Sequence, residues 1–575
     1  MYAVLRLQKA SMNSDSSEST PEDEARAVAQ SFKNDIEKTE LDISSCGISE
    51  IPLDVLHSEL SRIKSLILDY NEFFELPMQI SNISNLTVLS VIGNSLHSLP
   101  ESLCALVKLE ELIANENNLC ALPSQLGSLM NLRVINLAGN NLSTLPDSFS
   151  SLASLEEIYL DDNELVSFPS ELSLLKSVKI LECSNNQLTE LPTNFGAMTN
   201  LELLNLNYNN IKALPETFYL LRKIKFLDVS NNKLEALPSS FGSSQVVEKL
   251  YFENNDIECV PYWFSRMTSI KELSVANNSL TDEPFTDEFC NSSIAIQKIE
   301  AGANYILSIS KLFGNLKSLE LIHFGSTISE LERSNFQNGN WIKELPASFC
   351  MLANLKKANL NENQIQQLPD DFGNLTSLEW LDLGQNLLKI LPTSFSNLKN
   401  LEYLQLSKNL LQAIPEDIGN LRKLIDLRLD SNQLTDLPVS LEDISNLQSL
   451  DLFNNELTEI PKCVYKLQNL KRLDLDENNL KLMHKDTPKI TPTNVYPMRD
   501  PKLKDNWRGK TRPDKIKPSS IEVNVVSTAN EEEEIEEDNE VYNEAALERA
   551  MRRGLSMWRS HTTGMNCENQ QSCSS

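Results

Sequence analysis

Several kinds of residue are too few or too scattered in this chain of 575 residues to build a catalytic or metal centre. The five histidines, at positions 57, 97, 323, 484 and 561, stand far apart and form no HExxH. That removes the usual zinc-hydrolase signature. The ten cysteines contain no CxxC pair, so neither a zinc ribbon nor a dithiol redox centre is indicated. They are also spread out, whereas a secreted repeat protein would be expected to cross-link its ends with closely spaced cysteines, and they read as core or surface thiols. No run of 18 apolar residues occurs, and the opening MYAVLRLQKA is broken by Arg6 and Lys9. The expectation is therefore a soluble, cytoplasmic chain with no transmembrane segment and no leader. Arg508-Gly509-Lys510-Thr511 ends like a phosphate loop, but Lys504 stands where that loop needs glycine. No cofactor and no enzymatic activity are expected. Positive charge is scarce too: 51 Lys and Arg face 81 Asp and Glu, a net charge of -30. Such a chain repels nucleic acid, should stay monomeric when unbound, and suits protein partners with a basic or mixed surface.

What is present is a clock. Asparagine recurs every 23 residues from Asn71 to Asn278 and again from Asn363 to Asn478, with proline six residues after nearly every one. The stretch LEELIANENNLCALPSQLGSLMNL, 109–132, shows why each residue stands where it does. Leu112 and Ala114 alternate with Glu111, Ile113 and Asn115, which predicts a short strand with Leu112 and Ala114 inside and the others outside together with Glu116. Asn117 turns the chain inward, and its amide can satisfy backbone groups of adjacent turns. Leu119 and Leu122 refill the core, Pro123 fixes an irregular return segment, and Leu126 and Leu129 point back inside. One unit cannot bury these leucines, but a stack can. The unit is a leucine-rich repeat, and it predicts an α/β solenoid: a horseshoe of about 19 repeats, mostly of 23 residues, with a concave parallel β-sheet and an irregular or short-helical convex side.

Departures from the clock set the expected organisation. Residues 1–21 form a Ser- and Glu-rich disordered tail. Residues 22–40 form a cap helix, with Ala25, Val28, Phe32 and Ile36 at helical spacing. A first regular block spans 41–278, beginning with a degenerate repeat that has Cys46 at the asparagine position. Residues 279–345 hold irregular repeats around Asn304 and Phe324, with an inserted loop at 325–340, and a second regular block covers 346–484, where His484 replaces the next proline. Beyond it come a basic then acidic linker at 485–540, a basic amphipathic helix at 541–561 able to touch a membrane surface or partner, and a disordered end at 562–575.

The fold does not dictate the outward strand positions, so their identities point to function. In the first block Glu111, Glu116, Glu157, Tyr159, Asp161, Asp162, Glu182, Asp228, Tyr251 and Glu253 fall there. The second block places Trp380, Asp382, Tyr403, Arg428, Asp430, Asp451, Phe453, Arg472, Asp474 and Asp476. Trp380 and Tyr403 share one column of adjacent repeats, an aromatic anchor rimmed by charge of the kind found at protein-binding hot spots. The candidate partner-binding set is Tyr159, Asp161, Glu182, Asp228, Tyr251, Glu253, Trp380, Asp382, Tyr403, Arg428, Asp451, Phe453 and Asp474.

With LPxxF or LPxxI in the second half of the repeat, as in LPDSFSSLASL (145–155) and IPEDIGNLRKL (414–424), the chain resembles the intracellular Ras-group leucine-rich-repeat family. That family includes the Shoc-type Ras/Raf scaffolds, Ras suppressor and the plant intracellular Ras-group proteins. The resemblance covers about residues 40–484. It implies a non-enzymatic scaffold in signal transduction, with a Ras-family GTPase and a protein phosphatase catalytic subunit as partners on the concave face. Two alternatives are a phosphatase regulatory subunit and a structural adaptor at cytoskeleton or cell junctions.

Overall fold

The computed structural model describes residues 20–56, 59–239, 241, 246–281, 283–327 and 338–480. The expected features within 1–19, 328–337 and 481–575, including His484, the linker 485–540 and the helix 541–561, lie outside the described residues. Two compact units divide the chain, the first ending at Val247 and the second beginning at Glu248. In the first, strands of three residues run from Glu40–Asp42 to Phe226–Asp228, and in the second from Lys249–Tyr251 to Arg472–Asp474. Within each unit every strand pairs in parallel with the strand of the next repeat, in unbroken register. Most repeats carry a short 3-10 turn on the other side, such as Glu101–Ala105 and Leu126–Ser128, while α-helical turns at Leu53–Leu56 and Asp287–Ser292 serve two of them. The solenoid read from the repeat is therefore the observed fold class.

The repeat 109–132 shows how its residues produce this. Leu112, Ala114, Leu119, Leu126 and Leu129 have no solvent exposure, while Glu111 and Glu116 are exposed and Ile113 and Asn115 half-exposed. Leu122 is only half-buried, against the expectation. Its position lies at the rim of the core, where Leu99 and Leu214 of other repeats retain 4% and 8% exposure. Pro100 (φ -69°) opens the turn Glu101–Ala105 by accepting from the Leu103 amide at 2.9 Å, a 3-10 bond that a fixed φ favours. Phenylalanines from the LPxxF position stack along the core. Phe195 and Phe218 have centroids 5.7 Å apart in the first unit, and Phe349, Phe372 and Phe395 lie nearly parallel at 6.4 and 6.0 Å in the second.

The asparagine ladder does what its chemistry allows. Asn117 donates from Nδ2 to the carbonyls of Val91 (2.9 Å), Ala114 (3.2 Å) and Asn115 (3.2 Å), and its Oδ1 accepts from the Leu96 amide at 3.0 Å. One buried amide thus ties the preceding repeat to its own. The residue before it turns left-handed, with φ +56° at Glu116, +51° at Tyr208 and +54° at Lys408, while Gly93 and Gly139 adopt the same conformation without steric cost.

Two expectations are corrected here. The cap helix runs Pro21–Asn34, opened by a Thr20–Asp23 capping box, and buries Ala25, Ala29 and Phe32. Ile36 falls beyond it and is 80% exposed, because the helix stops two residues earlier at Asn34. Phe324 does not stand at a ladder position: it follows the strand Leu321–His323 and is fully buried, as Ala114 is in its repeat. Asn340 takes the ladder role instead, donating to Ala301 O at 2.8 Å and Phe324 O at 2.9 Å and accepting from the Ile306 amide at 3.0 Å. The extra residues therefore sit inside one repeat, between its strand and its asparagine, and not between repeats. Both roots of the insertion are fixed to the following repeat, Ser326 by its amide to Asn361 Oδ1 (2.7 Å) and Asn338 by its amide to Glu362 Oε2 (2.8 Å).

Candidate protein-binding surface

Strand register places Lys357, Trp380, Tyr403, Asp426, Ser449 and Arg472 in one column of the second unit, and Asp382, Gln405, Arg428, Asp451 and Asp474 in the next column but one along the strand. Trp380 and Tyr403, both half-exposed, stack with centroids 5.1 Å apart and ring planes 5° from parallel. Arg428 lies 5.3 Å over the Tyr403 ring and pairs with Asp426 at 3.2 Å. Burial opposes the charge of that guanidinium, yet the neighbouring Tyr403, Asp426 and Asp451 outweigh it and hold the pKa above its ordinary value. The result is a rigid stack of two rings closed at one end by a fixed cation, a geometry favoured by cation–π attraction and ring quadrupoles.

The carboxylates expected around these rings divide into two groups. Asp382, Asp451 and Asp474 are buried, at 7%, 4% and 8% exposure, so they do not stand out as an acidic rim. Each first serves the backbone: Asp382 Oδ1 accepts from the Gly384 amide (2.8 Å), Asp451 Oδ1 from Phe453 (3.0 Å) and Asp474 Oδ1 from Asp476 (3.0 Å). Asn136 and Asn205 do the same with Ala138 and Asn207 in the first unit. This is a short turn capped by Asp or Asn two residues back, a structural device repeated along the array. Phe453 remains half-exposed beside it.

In the first unit Tyr159, Glu182, Asn205 and Asp228 share a column. Tyr159 donates to Glu157 at 2.9 Å, and burial first, then that hydrogen bond, push its hydroxyl pKa up to about 12. Asp161 accepts from the Ser184 amide at 2.8 Å. Burial, with the charge of Asp161 adding to it, raises the pKa of Glu182. Asp228 is raised by burial, partly opposed by hydrogen bonds from Ser230 and Asn207. Tyr251 and Glu253 belong to the second unit, and Tyr251 donates to Glu272 at 2.5 Å.

The parallel column Ile180, Leu203 and Phe226 was not among the candidate residues, yet it lays three half-exposed apolar side chains beside Glu182, Asn205 and Asp228. The signal was available in the same column that singled out Trp380 and Tyr403, but aliphatic residues at an outward position resemble the repeat's own leucines. Among the described residues no group of three or more His, Cys, Asp and Glu is placed to hold a metal ion, and no helix is long and apolar enough to cross a membrane.

Comparisons with known proteins agree with this architecture. A family model described as a leucine-rich repeat region matches residues 170–357, and leucine rich repeat models match 122–165, 385–434 and 446–467. Leucine-rich repeat-containing protein 7 of Rattus norvegicus is 41% identical over 69 residues, 12% of this chain and 5% of that protein, so the match spans about a twentieth of the relative's length. Among solved structures, a leucine-rich-repeat protein of Leptospira interrogans is 28% identical, covering 73% of this chain and 98% of that one with a TM-score of 0.58. A TDR receptor is 25% identical over 73% of each chain, with a TM-score of 0.63. YopM of Yersinia enterocolitica, at 23% identity, 81% and 98% coverage and a TM-score of 0.54, shares the fold.

Proposed function

Taking the chain as a leucine-rich-repeat protein, we propose that it is a non-enzymatic interaction scaffold that binds a protein partner on the exposed sheet face of its second unit, acting in the cytoplasm in signalling by Ras-family GTPases. The observation that carries the docking site is the Trp380–Tyr403 stack capped by Arg428. Rings already held in place lose little freedom when a partner covers them, and central aromatic and arginine side chains are where binding energy concentrates. The buried aspartates Asp382, Asp451 and Asp474 support the surface by fixing the turns that flank it. Tyr159, Asp161, Glu182, Asp228, Tyr251 and Glu253 contribute further polar contacts. The GTPase assignment rests on the LPxxF repeat class, and a phosphatase catalytic subunit is the second partner that class implies.

The test is binding of the full chain to a panel of Ras-family GTPases, each loaded with GDP or a GTP analogue, alongside a Trp380→Ala/Tyr403→Ala variant. Binding to a GTP form that the variant loses supports the reading. Absence of binding in both nucleotide states across the panel removes the GTPase assignment and leaves the scaffold to be tested on other partners.

A further inference from the structure

The residue that precedes each strand lies at the margin of the sheet, and along this margin the chain keeps opposite charges side by side. In the first unit Arg133 and Lys179 both pair with Glu156, at 2.7 and 2.5 Å, and Lys225 pairs with Glu202 at 2.7 Å. In the second, Lys271 pairs with Glu248 at 2.6 Å and Lys356 with Glu320 at 2.8 Å. The margin is uncharged at Thr87 and Gln297, and further along it two like charges stand side by side. The residues preceding the Trp380 and Tyr403 strands are Glu379 and Glu402, both exposed and on adjacent repeats joined by the Glu402 amide to Glu379 O at 2.8 Å. The next margin residue is Ile425, 39% exposed, so no cation follows. Neither glutamate has a salt bridge among the described residues, although Lys356 feels the field of Glu379. Like charges side by side on neighbouring strands destabilise a sheet, and here each immediately precedes a residue of the ring stack.

We propose that Glu379 and Glu402 receive an arginine or lysine side chain of the protein partner, its stem lying along the Trp380 and Tyr403 rings and its charged head between the two carboxylates. The inference rests on the docking reading above and names the chemistry of the partner at that site. With the ring faces taken up by each other and by Arg428, the exposed ring edges offer apolar surface to the stem, and the two glutamates supply the counter-charge. The chain leaves its own margin unneutralised at the repeats whose outward face is aromatic, which is the arrangement expected where the missing cation comes from outside. Glu402→Lys would restore the alternation seen elsewhere along the margin.

The test is selection of a random peptide display library on the full chain, followed by affinity measurement of the enriched peptides on Trp380→Ala/Tyr403→Ala, Glu379→Gln/Glu402→Gln and Glu402→Lys, each checked for native circular dichroism. The expected result is that peptides requiring the rings are enriched in Arg and Lys and weaken by about tenfold on the double glutamine variant. Glu402→Lys should bind them more weakly still while unfolding at an equal or higher temperature than the wild type. Ring-dependent peptides without basic enrichment, bound equally by the glutamine variant, would overturn the inference and leave the docking reading standing. If no enriched peptide depends on the rings, both fail.

Discussion

A buried asparagine in this array holds three or four backbone groups at once, so its loss is felt by two repeats. Asn186 donates to Leu160 O at 2.9 Å and Ser184 O at 3.0 Å and accepts from the Leu165 amide at 2.9 Å. Asn186→Ala leaves those groups buried without partners and should cost about 3 kcal/mol in urea unfolding, since each such group costs roughly 1–3 kcal/mol. Alanine at the exposed Asn141 should be close to neutral in the same measurement. A second residue-scale prediction concerns Glu182, whose pKa is raised by burial and by Asp161. Between the ordinary glutamate pKa and the raised one, the folded state binds the proton more tightly, so stability falls as pH rises through that window and the full cost of burying the charge is present above it. Glu182→Gln should therefore stabilise the protein at pH 7, with the gain vanishing as the pH drops below the ordinary glutamate range. Chemical denaturation across pH reads both. The regularly spaced ladder asparagines were legible in the sequence because their period admits one explanation, but Asn340, beyond the insertion, was not. The buried roles of Asp382, Asp451 and Asp474 were not, because a polar residue at an outward strand position looks the same whether it faces a partner or caps the turn two residues later.

Elements in this protein are short, and their closeness depends on what is missing from a side chain. Phe372–Asn374 is a three-residue 3-10 turn in which a Cβ on Gly373 would meet Ser394 O of the following repeat at 1.8 Å. Gly373→Ala should force the two turns apart and destabilise the fold by about 1–3 kcal/mol, the range for overpacking, measurable as a lower urea midpoint with an unchanged slope. The insertion shows how far element boundaries could be read. Counting from Asn304 puts Phe324 near the next asparagine position, yet Phe324 is core and Asn340 completes the repeat. Pro346, six residues after Asn340, carried the signal, but an insertion between a strand and its asparagine breaks the count on which the reading depends. The apolar spacing extends the expected cap helix to residue 40, whereas the helix runs Pro21–Asn34, and no glycine marks its stop after Asn34.

For the whole molecule, the repeat gives the solenoid, the parallel register and the column that brings Trp380 to Tyr403. It does not give the capping of that column by Arg428, which rests on a single residue, whereas the margin charges from Arg133 to Lys271 do recur every 23 residues with alternating sign. Net charge of -30 favours partners of opposite sign, in agreement with the uncompensated Glu379 and Glu402 beside the rings. The central claim is that this sheet face, and not the side formed by the 3-10 turns, is where a partner docks. The most direct test places a photo-crosslinking amino acid at exposed Lys357, the neighbour of Trp380 in the column, or at Met351, 52% exposed at the end of the turn Ala347–Met351, in the full chain expressed in cells. A discrete protein adduct from position 357, lost when Trp380→Ala/Tyr403→Ala is added and absent from position 351, is the predicted result. An adduct from position 351 alone, or one from 357 that survives removal of both rings, would contradict it.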